Sequence, residues 1–126
     1  MNLLLDTHAL LWAVSEPQRL APRAAALIID PGNSVYVSAV NTWEMVIKAG
    51  LGRLEAPFGE LSRIFEATGF FELPVTIAHS LRVLELPALH RDPFDRLLVA
   101  QALEEGLTLV SRDSAVAAYG APVVWD

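Results

Sequence analysis

Four acidic residues in this 126-residue sequence have positions from which they could serve one reaction. They are Asp6, Glu44, Asp95 and Asp113. At about 5 Å and an effective dielectric constant of about 20, each like-charged pair costs about 3 kcal/mol, so a cluster needs retained protons or a divalent cation. Because the ligands would be oxygens and the chain has no cysteine, Mg²⁺ or Mn²⁺ suits such a cluster, and these ions support the hydrolysis of phosphate esters.

Each of these acids, taken singly, is at least as well explained by the local structure of a helix. Asp6 and Asp113 each precede a predicted helix and could cap it, while Asp95 would complement the positive start of its own helix. Glu44 could complete a capping box with Asn41. A shared site is favoured because all four acids can reach the same edge of the predicted sheet.

Short β-rich segments alternate with longer helical segments, which predicts an α/β domain with a largely parallel sheet. The predicted strands are Asn2–Leu5, Val35–Ser38, Phe70–Leu73, Leu107–Val110 and Pro122–Trp125. Helices are predicted after Thr7 and over 22–30, 39–50, 58–69, 76–86, 92–106 and 114–120. The helix over 92–106 has the clearest signals, with Asp92 at the N-cap, Pro93 at the first helical position and Gly106 at its end. Ligands of parallel sheets gather outside the carboxyl ends of the strands, where these acids lie.

Length and composition set the broad class of protein. The 126 residues fit one domain over 1–126, and a hydrophobic fraction of 53% provides for a well-filled core. No apolar stretch is long enough for a membrane span and no signal peptide is evident, so a cytoplasmic protein without membrane partners is expected. The net charge of -6 excludes an overall basic footprint for nucleic acid, although eight of the nine cationic residues are arginine, which suits local phosphate contacts.

Four segments, in this order, resemble the PIN-domain ribonucleases and in particular the VapC-type toxins of toxin–antitoxin modules. The segments are "LLLDTHALLW", "VSAVNTWEMVIKAGLGRL", "HRDPFDRLLVAQAL" and "LTLVSRD". The resemblance implies a PIN-like three-layer α/β/α sandwich around a central, mainly parallel sheet of about five strands. It also implies an endoribonuclease that hydrolyses RNA with water activated by one or two Mg²⁺ or Mn²⁺ ions, leaving 5′-phosphate and 3′-hydroxyl ends. A cognate VapB-type antitoxin and a homodimer are the implied protein partners.

The resemblance also assigns roles to individual residues. The four family acids correspond to Asp6, Glu44, Asp95 and Asp113, which would bind the metal. Small hydroxyl side chains near the metal or its waters correspond to Thr7 and Ser111. Asp92 is assigned to the N-cap, from which it could turn toward the metal site as an outer acid. The candidates for positioning the RNA backbone are Lys48, Arg91, Arg96 and Arg112.

Histidine and tryptophan residues allow other interpretations of the site. His8 is expected to donate a hydrogen bond beside the acids, His90 to lie in a loop, and His79 to lie at a surface or in packing. The three tryptophans could stack on RNA bases, but their apolar neighbours favour packing in the core or at an interface. They are Trp12, Trp43 and Trp125.

Two other functions fit parts of the sequence. A haloacid-dehalogenase-like phosphohydrolase also begins with a strand that ends in aspartate, but it requires a second aspartate where this chain has His8, and Lys48 is the sole lysine. A non-catalytic PIN-fold module that binds RNA or protein would keep the fold without using the acids. Titration with Mg²⁺ or Mn²⁺ distinguishes a metal site from such a module.

Overall fold

The computed structural model describes residues 1–89 and 92–126 and contains a five-stranded sheet in which the four pairings are parallel. The strands are β1 Asn2–Leu5, β2 Ser34–Ser38, β3 Phe71–Leu73, β4 Thr108–Val110 and β5 Val123–Val124. Their order across the sheet is β3-β2-β1-β4-β5, so the first strand is central. The predicted α/β class and parallel sheet are confirmed, and each strand lies within one residue of its predicted ends.

Helices connect these strands at the predicted places. The α-helices are α1 Thr7–Ser15, α2 Pro22–Ile29, α3 Ala39–Gly50, α4 Leu61–Thr68, α5 Ile77–Arg82 and α6 Pro93–Glu105. Short 3₁₀ segments are Pro17–Arg19, Phe58–Glu60, Val83–Glu85 and Ser114–Tyr119. Within the described ranges, no helix is both long and apolar enough to cross a membrane.

The central strand explains why the apolar run near the N-terminus is unbroken. Leu3 and Leu5 are fully buried in a cluster that includes Ala24 of α2. Leu4 points to the other face and packs in a second cluster with Leu98 of α6. A parallel strand covered by helices on both faces has apolar residues at successive positions rather than alternating apolar and polar residues. The helices thus form layers on both sides of the sheet.

The start of α6 follows the predicted capping pattern. Asp92 Oδ1 accepts hydrogen bonds from the backbone amides of Phe94, at 2.9 Å, and Asp95, at 3.4 Å, and Pro93 occupies the first turn. The helix ends at Gly106, whose φ of +67° suits glycine. Asp92 is therefore the N-cap, as predicted, and it places Asp95 in the first turn of the helix.

The capping of α3 differs from the prediction. Ser38 is the N-cap: its side chain accepts from the amide of Val40 at 3.0 Å, and Asn41 Oδ1 accepts from the Ser38 amide at 2.8 Å. The expectation that Glu44 completes a box with Asn41 is wrong, because Glu44 lies one turn too far along the helix to reach the orphan amides. Glu44 is thereby available for contacts elsewhere.

Candidate active site

The ends of β1 and β4 bring two polar segments together. Leu5 pairs with Val110 in the parallel ladder, and the amide of Asp6 donates to the carbonyl of Val110 at 3.1 Å. Ser111 follows Val110 directly, and its Oγ accepts from the amide of Asp113 at 3.1 Å. Asp6, Ser111 and Asp113 are therefore held at one edge of the sheet by strand register and by the turn after β4.

Asp6 caps α1, and its surroundings disfavour the ionised form of its carboxyl group. Its Oδ1 accepts from the amide of Ala9 at 2.8 Å. Burial raises the pKa of Asp6 above its ordinary value, and hydrogen bonds from Ser111 and Ala9 offset this in part, while the nearby Glu44 carboxylate raises it further. A cation beside Asp6 would relieve both the desolvation and the repulsion.

Two depressions meet at Asp6 and contain the other aspartates. Asp6, Asp95 and Ser111 line a small cavity of about 10 Å³ whose walls are apolar, Leu98 among them. Asp6 and Asp113 line a larger cleft of about 900 Å³. Asp6 is therefore common to both depressions, with Asp95 in the small cavity and Asp113 in the larger cleft.

Glu44 is buried deeper than these aspartates and has partners at both carboxylate oxygens. It is 3% exposed, Oε1 accepts from Thr7 Oγ1 at 2.5 Å, and Oε2 accepts from Lys48 Nζ at 2.5 Å. Thr7 Oγ1 in turn accepts from Asn41 Nδ2 at 3.2 Å, and the same amide donates to the carbonyl of Leu5 at 3.1 Å. Thr7 therefore joins Glu44 to the end of β1.

Lys48 supplies positive charge inside the acidic group. The hydrogen bond to Glu44 raises the pKa of the Lys48 ammonium above its ordinary value; burial opposes this, and the charges of Glu44, Asp92 and Asp95 add to it. Lys48 therefore stays protonated at neutral pH. The residue predicted to position RNA has Glu44 as its direct partner.

The donor chemistry of this edge fits a hard divalent cation. Carboxylates and hydroxyls are the oxygen ligands that Mg²⁺ and Mn²⁺ take. In the described part of the chain, however, no group of three or more histidine or acidic side chains lies close enough together to hold a metal ion as placed. Asp6, Asp95 and Asp113 line the two depressions, whereas the oxygens of Glu44 are already hydrogen-bonded.

The predicted RNA-positioning arginines lie in different places. Arg112 lines the cleft beside Asp6. Arg96 donates to the carbonyls of Pro87, at 2.9 Å, and Val83, at 3.4 Å, so it links α6 to these two positions. Arg91 and the neighbouring His90 lie outside the described residues.

Two further arginines line the cleft, and their positions there are harder to predict from the sequence. Arg53 follows α3 in the segment that turns at Gly52, and Arg19 belongs to a 3₁₀ segment after α1. Arg19 is seven residues beyond Trp12 but outside its helix, so helical spacing does not predict their contact. The signal for Arg53 is its place near Glu44 in a segment that resembles the PIN pattern.

Some aromatic residues lie in the core, as predicted, and others are exposed. Trp12 is 6% exposed in the core, and its ring centroid lies 5.9 Å from that of Trp125. Trp43, on α3, is 61% exposed and is not packed in the core, so packing at an interface stays a prediction for this residue. His8 is exposed with its ring 5.6 Å from Trp12, and the buried His79 contacts Glu105 at 2.9 Å.

Comparison with known proteins identifies the family of this chain. The PIN domain family model matches residues 3–122. Ribonuclease VapC22 of Mycobacterium tuberculosis is 30% identical over 129 aligned positions, which cover 98% of each chain. This family match replaces the haloacid-dehalogenase alternative.

Solved structures share the fold at lower sequence identity. VapBC2 from Rickettsia felis, bound to a DNA fragment from its promoter, gives a TM-score of 0.73 at 16% identity and full coverage of both chains. DNA-bound VapBC from Salmonella typhimurium gives 0.70 at 14% identity, covering 98% of this chain and 97% of the other. FitAcB from Neisseria gonorrhoeae gives 0.61 at 23% identity, covering 96% and 95%. The chain therefore belongs to the PIN-domain family, among the VapC-type ribonuclease toxins of toxin–antitoxin modules.

Proposed function

We propose that this protein is an endoribonuclease that depends on Mg²⁺ or Mn²⁺, and that its metal site is the edge of the sheet at Asp6. One observation carries the proposal: Asp6, with its raised pKa, lines both the cavity that contains Asp95 and the cleft that contains Asp113. These three aspartates would hold one or two ions. Glu44 would act beside them, either as a further ligand or through a bridging water.

When bound, the divalent cation would supply activation of water and neutralisation of charge on the scissile phosphate. The chain's own residues orient the donors. The Ala9 amide and Ser111 hold the Asp6 carboxylate, and the Ala115 amide, at 2.9 Å, holds Asp113 Oδ1. Because these contacts come from helix starts and strand ends, the donors are preorganised on rigid elements.

Lys48 and Thr7 set the position and charge of Glu44. Lys48 compensates the charge of the buried Glu44 carboxylate. Thr7, the residue next to Asp6, donates a hydrogen bond to the same carboxylate. Asp92 contributes through the helix cap that places Asp95. No side-chain nucleophile is needed, since the attacking group is water.

The family and the chemistry of this edge support the proposal that an antitoxin regulates the protein. One solved structure of the same fold is a toxin–antitoxin complex from Klebsiella pneumoniae. A cognate VapB-type antitoxin would place a basic residue, such as arginine, near the acids, because a guanidinium fork pairs well with carboxylates. We further propose a homodimer that acts in the cytoplasm.

The proposed function is tested by measuring whether RNA cleavage depends on an added divalent ion. The protein is stripped with EDTA, then incubated with a mixed RNA pool alone, with Mg²⁺ and with Mn²⁺, and the new ends are mapped. Cleavage that requires the added ion and leaves 5′-phosphate ends is expected. Equal cleavage in EDTA, or 2′,3′-cyclic phosphate ends, would refute metal-dependent hydrolysis. A fully folded protein that binds neither ion and cleaves no RNA would instead be the non-catalytic module.

A further inference from the structure

The larger cleft at Asp6 has a cationic side that the acidic site does not account for. Besides Asp6 and Asp113, it is lined by Trp12 and by three arginines, which are Arg19, Arg53 and Arg112. We call this depression the Trp12 cleft. Its volume of about 900 Å³ lies within the range of specific ligand sites, and it opens directly from the acids.

Two of the three arginines lie against the same aromatic ring. The guanidinium carbon of Arg19 is 4.6 Å from the centroid of Trp12, and that of Arg112 is 5.6 Å from it. Cation–π contact is strongest with tryptophan and fixes the orientation of a guanidinium group. Because Trp12 is only 6% exposed, its ring supports these groups rather than offering a face to a nucleobase.

The guanidinium of Arg19 remains accessible in this arrangement. Its side chain is 50% exposed, and its ion pair with Glu16, at 3.6 Å, is a loose surface contact of little energy. A planar guanidinium forms forked hydrogen bonds with phosphate oxygens. Arg19 is therefore oriented by Trp12 while its donors stay available to a ligand in the cleft.

The charge balance of the cleft depends on what the acids hold. Four carboxylates and three guanidiniums line it, so without a metal ion the anionic groups are in excess. One divalent cation at Asp6 and Asp113 reverses that excess. For a chain with a net charge of -6, these local arginines are the described cations best placed to attract a polyanion to the acids.

We infer that Arg19 and Arg112, supported by Trp12, bind phosphates of the RNA strand adjacent to the scissile bond. This inference rests on the proposed function. The strand would run from the acids along the Trp12 cleft, so Arg19 and Arg112 position the substrate and Trp12 positions the arginines. RNA is favoured over an antitoxin here because the cleft is continuous with the acids, and an RNA strand cut there must place neighbouring phosphates next to them.

The sharpest test substitutes Arg19 and compares it with Arg63. Both are exposed arginines that form an (i,i+3) pair with a glutamate, Arg19 with Glu16 and Arg63 with Glu60, but Arg63 lies on α4 and does not line the cleft. Arg19→Gln should raise KM for RNA roughly threefold to tenfold while kcat is retained, since a phosphate contact of this kind is uniform binding. Arg63→Gln should leave both constants unchanged.

Salt dependence and direct binding provide readouts that a structural defect would not imitate. With Arg19→Gln, the slope of log(kcat/KM) against log salt concentration should become shallower by about 0.7 for one lost phosphate contact with a single strand. Fluorescence anisotropy of a labelled RNA with saturating Mg²⁺, in an Asp95→Asn background that slows cleavage and keeps Asp6 and Asp113, should show weaker binding when Arg19→Gln is added. Arg112→Gln should act in the same direction, and Arg19→Lys should restore part of the affinity.

Trp12 requires a separate comparison because it is also a core residue. Trp12→Phe retains an aromatic ring and should keep most of the RNA affinity, whereas Trp12→Leu should raise KM as Arg19→Gln does. Loss of folded protein would lower the active fraction and thus apparent kcat. A rise in KM for the leucine variant alone therefore identifies support of the arginines.

Each outcome decides the inference. Unchanged KM, salt slope and RNA binding in Arg19→Gln, or equal effects in Arg63→Gln, would overturn it while leaving ribonuclease activity in place. If Arg19→Gln weakens binding of a co-purified antitoxin but not of RNA, the cleft serves the antitoxin and the inference is wrong. If the wild type cleaves no RNA at all, the proposed function itself fails.

Discussion

At the scale of single residues, Asp6 stabilises the start of α1, but its buried charge lowers the stability of the fold. Its carboxylate caps α1 through the Ala9 amide, yet burial and the nearby Glu44 raise its pKa. An asparagine would cap the helix about as well without the charge. Helix capping alone therefore does not require an aspartate here, whereas the proposed metal site does.

Asp6→Asn should consequently stabilise the metal-free protein. A raised folded-state pKa means that the contribution of Asp6 to stability is present below the ordinary pKa of about 4 and is lost as pH rises through the folded value. In EDTA at pH 7.5, thermal unfolding of the variant should therefore occur at a higher temperature than that of the wild type. The difference should shrink as pH falls toward 4; a difference that is constant with pH, or of opposite sign, contradicts this account.

Lys48 and Glu44 form the second residue-scale test. Lys48→Met leaves the buried Glu44 carboxylate with Thr7 as its described partner and should lower the free energy of unfolding by about 2 kcal/mol. Adding Glu44→Gln removes the uncompensated charge, so the double variant should recover much of that loss. Urea denaturation of the two single variants and the double variant measures the coupling, and strictly additive effects would show that the pair is not coupled.

At the scale of elements, features that depend on local rules could be predicted from sequence. The start of α6 needs only Asp92, Pro93 and the following turn, and the strand ends follow from apolar runs. The ion pair of Glu44 with Lys48 could be predicted, since the two residues are four apart on one helix, but the hydrogen bond from Thr7 could not, since it depends on Thr7 lying beside α3 after the sheet has formed. The capping box at α3 is a local pattern, Ser38 with Asn41 three residues later, and the prediction is wrong because it takes Asn41 rather than Ser38 as the first residue of the box.

Substitutions of Asp92 test whether it supports RNA cleavage by capping α6 or by its negative charge. Serine is as good an N-cap as aspartate, so Asp92→Ser should preserve the start of α6, the position of Asp95 and nearly all RNA cleavage. Asp92→Ala should cost about 1 kcal/mol of stability and reduce cleavage by displacing Asp95. Parallel unfolding and cleavage assays compare the two variants. A stable serine variant with activity as low as the alanine variant would mean that the Asp92 carboxylate acts in the metal site.

At the scale of the whole molecule, long-range packing creates the parts of the site that were least predictable. Trp12, Arg19 and Arg112 come from α1, a 3₁₀ segment and the end of β4, and they meet only in the folded chain. That Asp6 and Asp113 line one cleft could be predicted, because parallel strands align their carboxyl ends. The detailed geometry of the acids, including the hydrogen bond from Thr7 to Glu44, depends on side-chain packing that spacing does not encode.

Metal binding should stabilise the whole fold. A ligand that binds the native state alone adds about 2.7 kcal/mol at a hundredfold excess over its Kd. Mn²⁺ should therefore raise the unfolding temperature of the wild type, and raise it much less for Asp95→Asn. Scanning calorimetry with and without the ion checks this, and equal shifts in both proteins would place the ion elsewhere.

The most direct test of the central claim is single-turnover RNA cleavage in Mg²⁺ by Asp95→Asn beside the matched surface variant Asp30→Asn. Asp30 accepts a hydrogen bond from the Gly32 amide at 2.8 Å in an exposed turn, which asparagine can also accept. With circular dichroism showing both variants folded, we expect Asp95→Asn to lose at least about 100-fold in rate, since even residues that only orient metal ligands cost 10- to 100-fold. Asp30→Asn should cleave as the wild type does. A folded Asp95→Asn protein that cleaves RNA at the wild-type rate would contradict the assignment of the site.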